Sequence, residues 1–295
     1  MVRQRSAKPS SAGSIPAVAS NFRTPSGFSF VSTVESHGWV QLAPFRWSRE
    51  EQVLRRREVL GGVVTDLEIT HRAGALRVRG AADSEELRAR MARMFQLHVD
   101  LAEFYRMASA SPDHVWVTRA GFGRLLCGST LWEDAVKVIA TTNTMWRQTV
   151  RMVDRLVAKC GRDGAFPTQQ DVARFSAGEL QRDCSLGYRA KSIRALAECA
   201  LPEQGDAPPE LRDYLPLPGI GPYGAAHLMA MDGRHDSIAV DTEFRRFVRE
   251  RYHRGRRVSD AAMLRRYAKW GRWKYLAYWS ELWSSVATPL QPADD

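Results

Sequence analysis

The stretch that most constrains this chain is LPLPGIGPYGAAHLM at residues 215–229, where prolines and glycines separate two short helical patterns. Pro218 ends the first helix, because the residue before a proline is pushed out of the α region. Gly219 and Gly221 permit a tight turn and a close approach of the backbone to a ligand. Small residues from Gly224 onward open the second helix, whose free N–H groups favour phosphate. The pattern predicts a helical hairpin that contacts a sugar–phosphate backbone without reading its sequence.

The charge of the chain agrees with a polyanionic partner. Its 295 residues include 43 Lys and Arg against 33 Asp and Glu, a net charge of +10 at pH 7, and such an excess favours nucleic acid.

No apolar run approaches the roughly 18 residues that span a membrane. The cysteines lack the spacing of a zinc ribbon, an iron–sulfur cluster or a secreted disulfide framework; they are Cys127, Cys160, Cys184 and Cys199. We expect an intracellular protein, at a bacterial nucleoid or in a nucleus, with free thiols.

The chain divides by composition and periodicity. Residues 1–27 hold four basic residues, no acidic residue and many Ser, Pro, Ala and Gly, which is typical of a disordered basic arm. Alternation at 62–70 and 75–80 predicts a hairpin in a small antiparallel sheet. From Asp83 onward the spacing is helical, and we expect an α+β fold that is mostly α. The later helical blocks are 131–160, 169–182, 189–200, 208–214, 223–232, 242–252 and 260–287.

The hairpin, followed by Asp241 in AVDTEF, resembles the signature of the helix-hairpin-helix (HhH-GPD) DNA glycosylase superfamily. Further segments resemble that family in the same order along the chain: PFRW (44–47), MFQLHVDLAEFY (94–105), ATTNTMWRQTVRMVDRL (140–156) and SLGYRAKSIRALA (185–197). They are most similar to the 3-methyladenine DNA glycosylase II and 8-oxoguanine glycosylase branches.

The resemblance implies a domain organisation. A sheet domain would span 28–85, and one helical subdomain, with Asp241, would combine 86–118 and 231–290. The other helical subdomain, with the hairpin, would span 119–230. The DNA-binding cleft would then lie between the two helical subdomains.

Base excision explains why an aspartate follows the hairpin. Cleavage of an N-glycosidic bond passes through a sugar with oxocarbenium character, as in glycoside hydrolysis. A carboxylate beside that sugar stabilises the developing charge and orients or deprotonates a water. An isolated aspartate at such a position is often only the N-cap of the following helix, here 242–252. The two roles are compatible, and the resemblance makes Asp241 the catalytic carboxylate.

Tyr223 decides the expected type of glycosylase. Bifunctional members carry a lysine at the matching position, which forms a Schiff base with the sugar. A phenol cannot form that imine, and Lys191 belongs to another predicted helix. The resemblance therefore implies a monofunctional enzyme, similar to the alkylbase branch, that leaves an intact abasic site.

A flipped base needs a pocket with aromatic or apolar walls. His227 lies one turn beyond Tyr223 on the same helix face and matches a pocket-wall position of the family. Residues 267–283 hold four Trp and three Tyr, a pattern that is also typical of a helix core. The family match there adds further pocket residues, which are Tyr275, Trp279, Trp270 and Trp273.

The remaining expected contacts concern DNA and a cation. Asn143, Tyr188 and Arg189 match the family's gap-filling residues. The turn pattern adds Gly219, Gly221 and Gly224 of the hairpin as backbone contacts, and the charge of the arginine-rich segment 244–257 adds Arg245. That segment also suits a solvated charged face. We expect no cofactor, except a monovalent cation that the family holds on hairpin carbonyls, here those of Leu215, Leu217 and Ile220. The expected partner is double-stranded DNA with a modified base, bound by a monomer.

Several functions stay open from the sequence. Among damaged bases, an alkylated purine is favoured, because a cationic base is attracted by tryptophan faces. Leu42 and Ala43 depart from the glycine-containing turn of the 8-oxoguanine branch, which weakens oxidised bases as substrates. A non-catalytic protein that clamps bent or damaged duplex is the alternative from a different class. RNA recognition has no supporting motif.

Overall fold

The computed structural model describes residues 19–202 and 209–286. In this part of the chain a five-stranded antiparallel sheet is followed by helices, which confirms the predicted α+β, mostly α class. The strands are β1 (Ala19–Arg23), β2 (Arg46–Ser48), β3 (Val53–Leu60), β4 (Val63–Arg72) and β5 (Ala75–Arg79). The helices are α1 (Phe30–Val34), α2 (Glu85–Met94), α3 (Ala102–Ser109), α4 (Val115–Ala120), α5 (Leu131–Thr141), α6 (Trp146–Cys160), α7 (Gln169–Ala173), α8 (Ala177–Asp183), α9 (Arg189–Leu196), α10 (Leu211–Tyr214), α11 (Pro222–Met231), α12 (Thr242–His253), α13 (Asp260–Arg265) and α14 (Lys274–Val286), with 3-10 helices at Gly38–Gln41 and Ala268–Trp273.

The sheet has the strand order β1-β5-β4-β3-β2. One face packs on the core through residues such as Leu76 and Val78, as in an antiparallel sheet with one solvated side. The expected arm over 1–27 is wrong at its end, because residues 19–23 form the edge strand β1 and pair with β5. Composition misled there, since alternate β1 side chains turn towards the core. Residues 1–18 lie outside the described part of the chain.

The predicted local elements mostly have the expected positions. The hairpin at 62–70 and 75–80 is β4 and β5, paired antiparallel. The block 131–160 is two helices, α5 and α6, separated by a loop that carries Asn143 in a left-handed conformation (φ 45°). The block 260–287 breaks at Gly271, where φ is 52°. No described helix has the length and apolar character needed to cross a membrane.

A buried ionic cluster joins the sheet to α5. Glu133, in the first turn of α5, accepts bonds from Arg56 of β3 at 2.9 Å and from Lys137 at 2.7 Å. Arg56 also pairs with Glu58 at 2.7 Å. All four side chains are nearly inaccessible to solvent, and such charges require paired neighbours. The sheet is therefore fixed to the helical region.

A second buried network fixes the hairpin. Asp232, at the C-terminal end of α11, accepts bonds from Tyr214 of α10 and from Arg93 of α2. Arg93 also donates to Asp134 of α5 at 2.7 Å. The two hairpin helices are thus tied to each other and to both neighbouring helices by buried, charge-assisted bonds.

The domain boundaries predicted from the resemblance stay a prediction. The hydrophobic core of the described residues is one contiguous cluster that extends from Phe30 to Leu282. All four cysteines are free thiols, and Cys199 is the one that is partly exposed.

Candidate active site and nucleic-acid interface

The hairpin forms as the sequence predicts. Its turn places Gly219 at φ 81°, and a Cβ there would lie 2.6 Å from Ser192 Cβ of α9. Glycine is therefore required for both the conformation and the close approach. Pro222 is the first residue of α11, where its missing N–H costs nothing. A Cβ on Gly221 would meet no atom within 4 Å, so this side of the turn is open.

Asp241 is the N-cap of α12. Its Oδ1 accepts a bond from the Phe244 N–H at 2.7 Å, which fixes the carboxylate rigidly. The side chain is half-buried. Burial raises the pKa of Asp241 above its ordinary value, and the negative charge of Glu243 adds to that effect, against the bond from Phe244. The site thus holds an oriented carboxylate with no cationic side chain bonded to it among the described residues.

The predicted pocket residues form one stacked pair on each of two helices, α11 and α14. Tyr223 and His227 of α11 have stacked rings with centroids 5.9 Å apart, and Tyr275 and Trp279 of α14 stack at 5.8 Å. Burial raises the pKa of Tyr223 and of Tyr275, and the negative charge of Asp241 contributes to both shifts. The fold therefore brings together residues that are far apart in sequence.

His227 is a neutral group within this cluster. Its ring is 9% exposed, and burial lowers its pKa to about 4. Its Nε2 is buried without a hydrogen-bond partner in the described structure. A buried polar atom without a partner is costly and rare, so His227 has hydrogen-bonding capacity that the protein itself does not use.

Sequence reasoning missed His37 and Trp39, which contact His227. The centroid of the Trp39 ring is 5.2 Å from that of His227, and His37 is at 6.2 Å. Both residues are buried. They precede the PFRW segment, and no local pattern shows that this stretch reaches the hairpin.

Trp270 and Trp273 pack against aromatic residues of other elements. Trp270 is buried against Phe104 and His114, with the His114 ring at 4.5 Å. Trp273 packs against Phe104 and stacks on His235 at 5.8 Å. Such contacts are typical of a helix core, the alternative that helical aromatic spacing left open, and the pocket role of both residues stays a prediction.

The predicted gap-filling residues meet on one surface. Tyr188 is 60% exposed, and its hydroxyl accepts a bond from the Asn143 amide at 3.4 Å. Arg189 is buried and donates to the carbonyls of Thr142 and Asn143. Arg189 thus holds the loop, while Tyr188 and Asn143 face solvent. Met145, beside them, is 64% exposed.

The arginines of α12 are partly engaged within the protein. Arg245 makes two bonds to Asp260, at 2.9 and 2.8 Å. Arg246 pairs with Glu243 and Glu250. Arg251 pairs with Asp113 at 3.6 Å, whereas no ion pair of the described residues involves Arg254, Arg256 or Arg257.

A cleft of about 490 Å³ lies between the sheet and α6, lined by residues such as Phe45, Arg57 and Asp154, and none of the predicted site residues lines it.

The described residues form no group of three or more His, Cys, Asp or Glu suited to a metal ion. At the hairpin, the Leu217 carbonyl already accepts the Ile220 N–H at 3.0 Å, which leaves one lone pair for a cation. The carbonyl site therefore stays a prediction.

Comparison with known proteins agrees with this geometry. The model of the HhH-GPD superfamily of base excision DNA repair proteins matches residues 136–272. A "probable N-glycosylase/DNA lyase" of Methanothermobacter thermautotrophicus is 24% identical over 254 residues, which cover 74% of this chain and 81% of the relative. The residues that match the family model include α11 and Asp241, the parts of the chain on which the resemblance to the HhH-GPD superfamily rests.

Solved structures share the whole fold. The 3-methyladenine DNA glycosylase from Archaeoglobus fulgidus superposes with a TM-score of 0.72 at 18% identity, over 90% of this chain and 98% of its own. The 8-oxoguanine glycosylase/lyase of Clostridium acetobutylicum, bound to DNA, gives 0.69 at 16% identity, over 92% and 96%. At these identities the likeness concerns the fold, including the N-terminal sheet.

Proposed function

We propose that this protein is a monofunctional DNA glycosylase that removes a damaged base, preferentially an alkylated purine, from double-stranded DNA. The observation that carries the proposal is the geometry of Asp241. The carboxylate is oriented by the N-terminus of α12 and lies in the electrostatic neighbourhood of Tyr223 and Tyr275. A rigid, partly desolvated negative charge beside an aromatic cluster suits a cationic sugar under a flipped base.

Asp241 would act on the sugar of the flipped nucleotide. As the N-glycosidic bond breaks, positive charge develops on the sugar, and the carboxylate stabilises it. The same group then orients or deprotonates the attacking water. The leaving base departs with the bonding electron pair, and the product is an abasic site.

The absence of a lyase step follows from Tyr223. A Schiff base needs an uncharged amine that reaches the sugar. Lys191 is on α9, and Lys137 is fully buried and bonded to Glu133. The name of the Methanothermobacter relative includes a lyase, so this part of the proposal needs its own measurement.

DNA would be held by the hairpin and by the loop before α6. The open side of Gly221 would face a phosphate, and Asn143 and Tyr188 would fill the gap that the flipped base leaves. The unpaired arginines beyond Arg245 would add salt-dependent affinity. The hairpin carbonyls of Leu215, Leu217 and Ile220 would hold a monovalent cation, and the protein would act as a monomer.

An oxidised or otherwise modified neutral base is the second candidate substrate. His227 favours it, because the unpartnered Nε2 can bond to a polar edge of such a base. A cationic alkylated purine depends more on the faces of Tyr223, Tyr275 and Trp279.

Asp241→Asn tests the catalytic role. Asparagine keeps the N-cap bond but removes the charge, so we expect excision to fall about 100- to 1,000-fold. Duplexes with alkylated, oxidised and deaminated bases are incubated with each protein and scored for strand breaks with and without hot alkali. Asp171→Asn, which changes another capping carboxylate at the start of α7, is the matched control.

The pattern of strand breaks distinguishes monofunctional excision from excision with a lyase step and from binding without catalysis. Breaks after alkali alone, lost in Asp241→Asn and kept in Asp171→Asn, support the proposal. Breaks without alkali contradict the monofunctional reading. Tight binding of damaged duplex without any break would instead favour the non-catalytic clamp.

A further inference from the structure

The segment Ser36–Gln41, between α1 and the sheet, is bonded to the helical region along its whole length. The Trp279 indole N–H of α14 donates to the Ser36 carbonyl at 2.9 Å. His37 Nε2 donates to the Leu126 carbonyl at 2.7 Å. The Trp39 indole N–H donates to Asp134 Oδ1 of α5 at 2.9 Å. These bonds tie the segment to three separate parts of the helical region.

The end of the segment is fixed from α6. The Trp146 indole N–H donates to Gln41 Oε1 at 2.8 Å. A Cβ on Gly38 would lie 2.4 Å from Trp146 Cζ2, so the indole occupies space that a larger residue at 38 would need. Trp146 lies just after the loop that carries Asn143. A residue next to the DNA-facing loop therefore helps to position the segment.

Trp39 lies where a pocket wall is needed. Its ring contacts His227, which in turn stacks on Tyr223, and the Asp241 charge acts on that tyrosine. The indole is held by its bond to Asp134, a carboxylate also bonded to Arg93. An indole in a single orientation beside a histidine with an unused Nε2 can face one side of a planar ligand.

We propose that Trp39 forms a wall of the base pocket and selects the bases that the pocket accepts. The proposal rests on the proposed function and adds to it a residue from the N-terminal part of the chain. The ligand is a flipped purine, and a cationic one is favoured, because an indole face attracts cations more strongly than other aromatic rings do. The nearby cations Arg93 and Lys137 are ion-paired and do not oppose a positive base.

Base binding can be measured apart from chemistry. A duplex with 2′-fluoroarabino-7-methylguanosine carries the cationic base, and its fluorine opposes the oxocarbenium charge and so slows cleavage. A duplex with a tetrahydrofuran abasic analogue presents the same backbone without a base. The ratio of the two affinities isolates the contribution of the pocket.

Trp39→Phe and Trp39→Leu are compared with Trp132→Phe and Trp132→Leu. Trp132 is also a buried residue of this region, 5% exposed, and its indole N–H also makes one bond, to the Pro167 carbonyl at 2.8 Å. Loss of a stacking face is worth about 1–3 kcal/mol per base. We therefore expect Trp39→Leu to lower the lesion-to-abasic affinity ratio about 10-fold, and Trp39→Phe to lower it less.

Affinity for the abasic duplex should stay within about two-fold of wild type in every variant, because that duplex places nothing in the pocket. Excision of unmodified-sugar 7-methylguanine should fall with the affinity ratio in the Trp39 variants and stay unchanged in the Trp132 variants. Thermal denaturation checks that each variant is folded. If a leucine variant does not fold, the affinity ratio and excision are compared with the phenylalanine variants instead.

The outcomes separate the two proposals. If wild type excises the base and Trp39→Phe and Trp39→Leu match it in excision and in affinity ratio, the pocket wall is overturned and the catalytic proposal stands. Equal losses in the Trp39 and Trp132 variants would also overturn the wall, since they indicate a structural effect. If wild type cleaves no base but binds the lesion duplex more tightly than the abasic duplex, and the Trp39 variants lose that preference, Trp39 is a pocket wall and the catalytic proposal fails. No preference and no cleavage would overturn both.

Discussion

Two carboxylates near helix N-termini have opposite surroundings. Glu133 of α5 is buried, and although burial opposes its charge, Arg56 and Lys137 hold its pKa well below the usual range. Asp241 of α12 is half-buried and bonded to a backbone N–H, and burial raises its pKa. The first charge is neutralised by partners and joins two parts of the fold. The second has no bonded cation in the described part of the chain, which suits a group that stabilises charge on a ligand.

The comparison predicts its largest effect on stability at Glu133. Glu133→Ala leaves Lys137 buried without its ion-pair partner and weakens the surroundings of Arg56, so we expect a loss of about 3–5 kcal/mol in the free energy of unfolding. Urea denaturation at pH 7 measures it. Excision by the folded fraction should stay close to wild type.

Glu179→Ala is the control for that variant. Glu179 is also a first-turn glutamate and accepts the Ser176 N–H at 2.8 Å in a capping box, but it is only partly buried and has no buried cation beside it among the described residues. We expect its loss to cost much less than the loss of Glu133, because no buried charge is left without a partner. Similar costs for the two variants would mean that the buried cluster contributes no more than an ordinary surface cap.

At Asp241 the comparison predicts a change in activity without a loss of stability. The native pKa is raised above the unfolded value, so the native state binds its proton more tightly. Ionisation therefore destabilises the fold as the pH rises from about 3.8 through the native pKa. Asp241→Asn avoids this cost, and we expect it to be at least as stable as wild type at pH 7. The difference should disappear below about pH 3.8.

The same pKa predicts a pH dependence of excision. Activity needs the ionised carboxylate, so wild-type kcat/KM should fall about ten-fold per pH unit below the native pKa of Asp241, and that midpoint should lie above 3.8, the ordinary value. Residual activity of Asp241→Asn should lack this acid limb. A wild-type midpoint at or below 3.8, or a mutant less stable than wild type at neutral pH, would contradict the distinction.

Local chemistry made much of this fold predictable. Proline and glycine set the hairpin turn, three- and four-residue spacing set the helices, and the spacing of Tyr223 and His227 placed both on one face. These features depend on residues close in sequence, whose effects are strong at helix boundaries. The family match on residues 136–272 also includes Asp241.

Long-range contacts account for what was missed. Trp39 reaches His227 because the segment Ser36–Gln41 crosses to the helical region, and no periodicity encodes that crossing. Residues 19–23 join the sheet by pairing with β5, which composition alone does not indicate. The spacing of Trp270 suits a pocket and a core equally, and its contacts with Phe104 and His114, which are distant in sequence, could not be predicted from that spacing.

The smallest predicted effect concerns Arg245, which lies four residues after Asp241 and is paired with Asp260 on the surface. Exposed pairs contribute about 0–1 kcal/mol, so Asp260→Asn should barely change stability. It should, however, free a guanidinium for phosphate and tighten binding of undamaged duplex at low salt, with a steeper dependence on salt concentration. Fluorescence anisotropy over a salt series measures both quantities, and Asp83→Asn, which releases Arg88 from a similar exposed pair near the sheet, is the control. Equal effects of the two variants would mean that the change in net charge alone is responsible. An effect specific to Asp260→Asn would instead place the duplex along α12, beside Asp241, the carboxylate that the comparison assigns to catalysis.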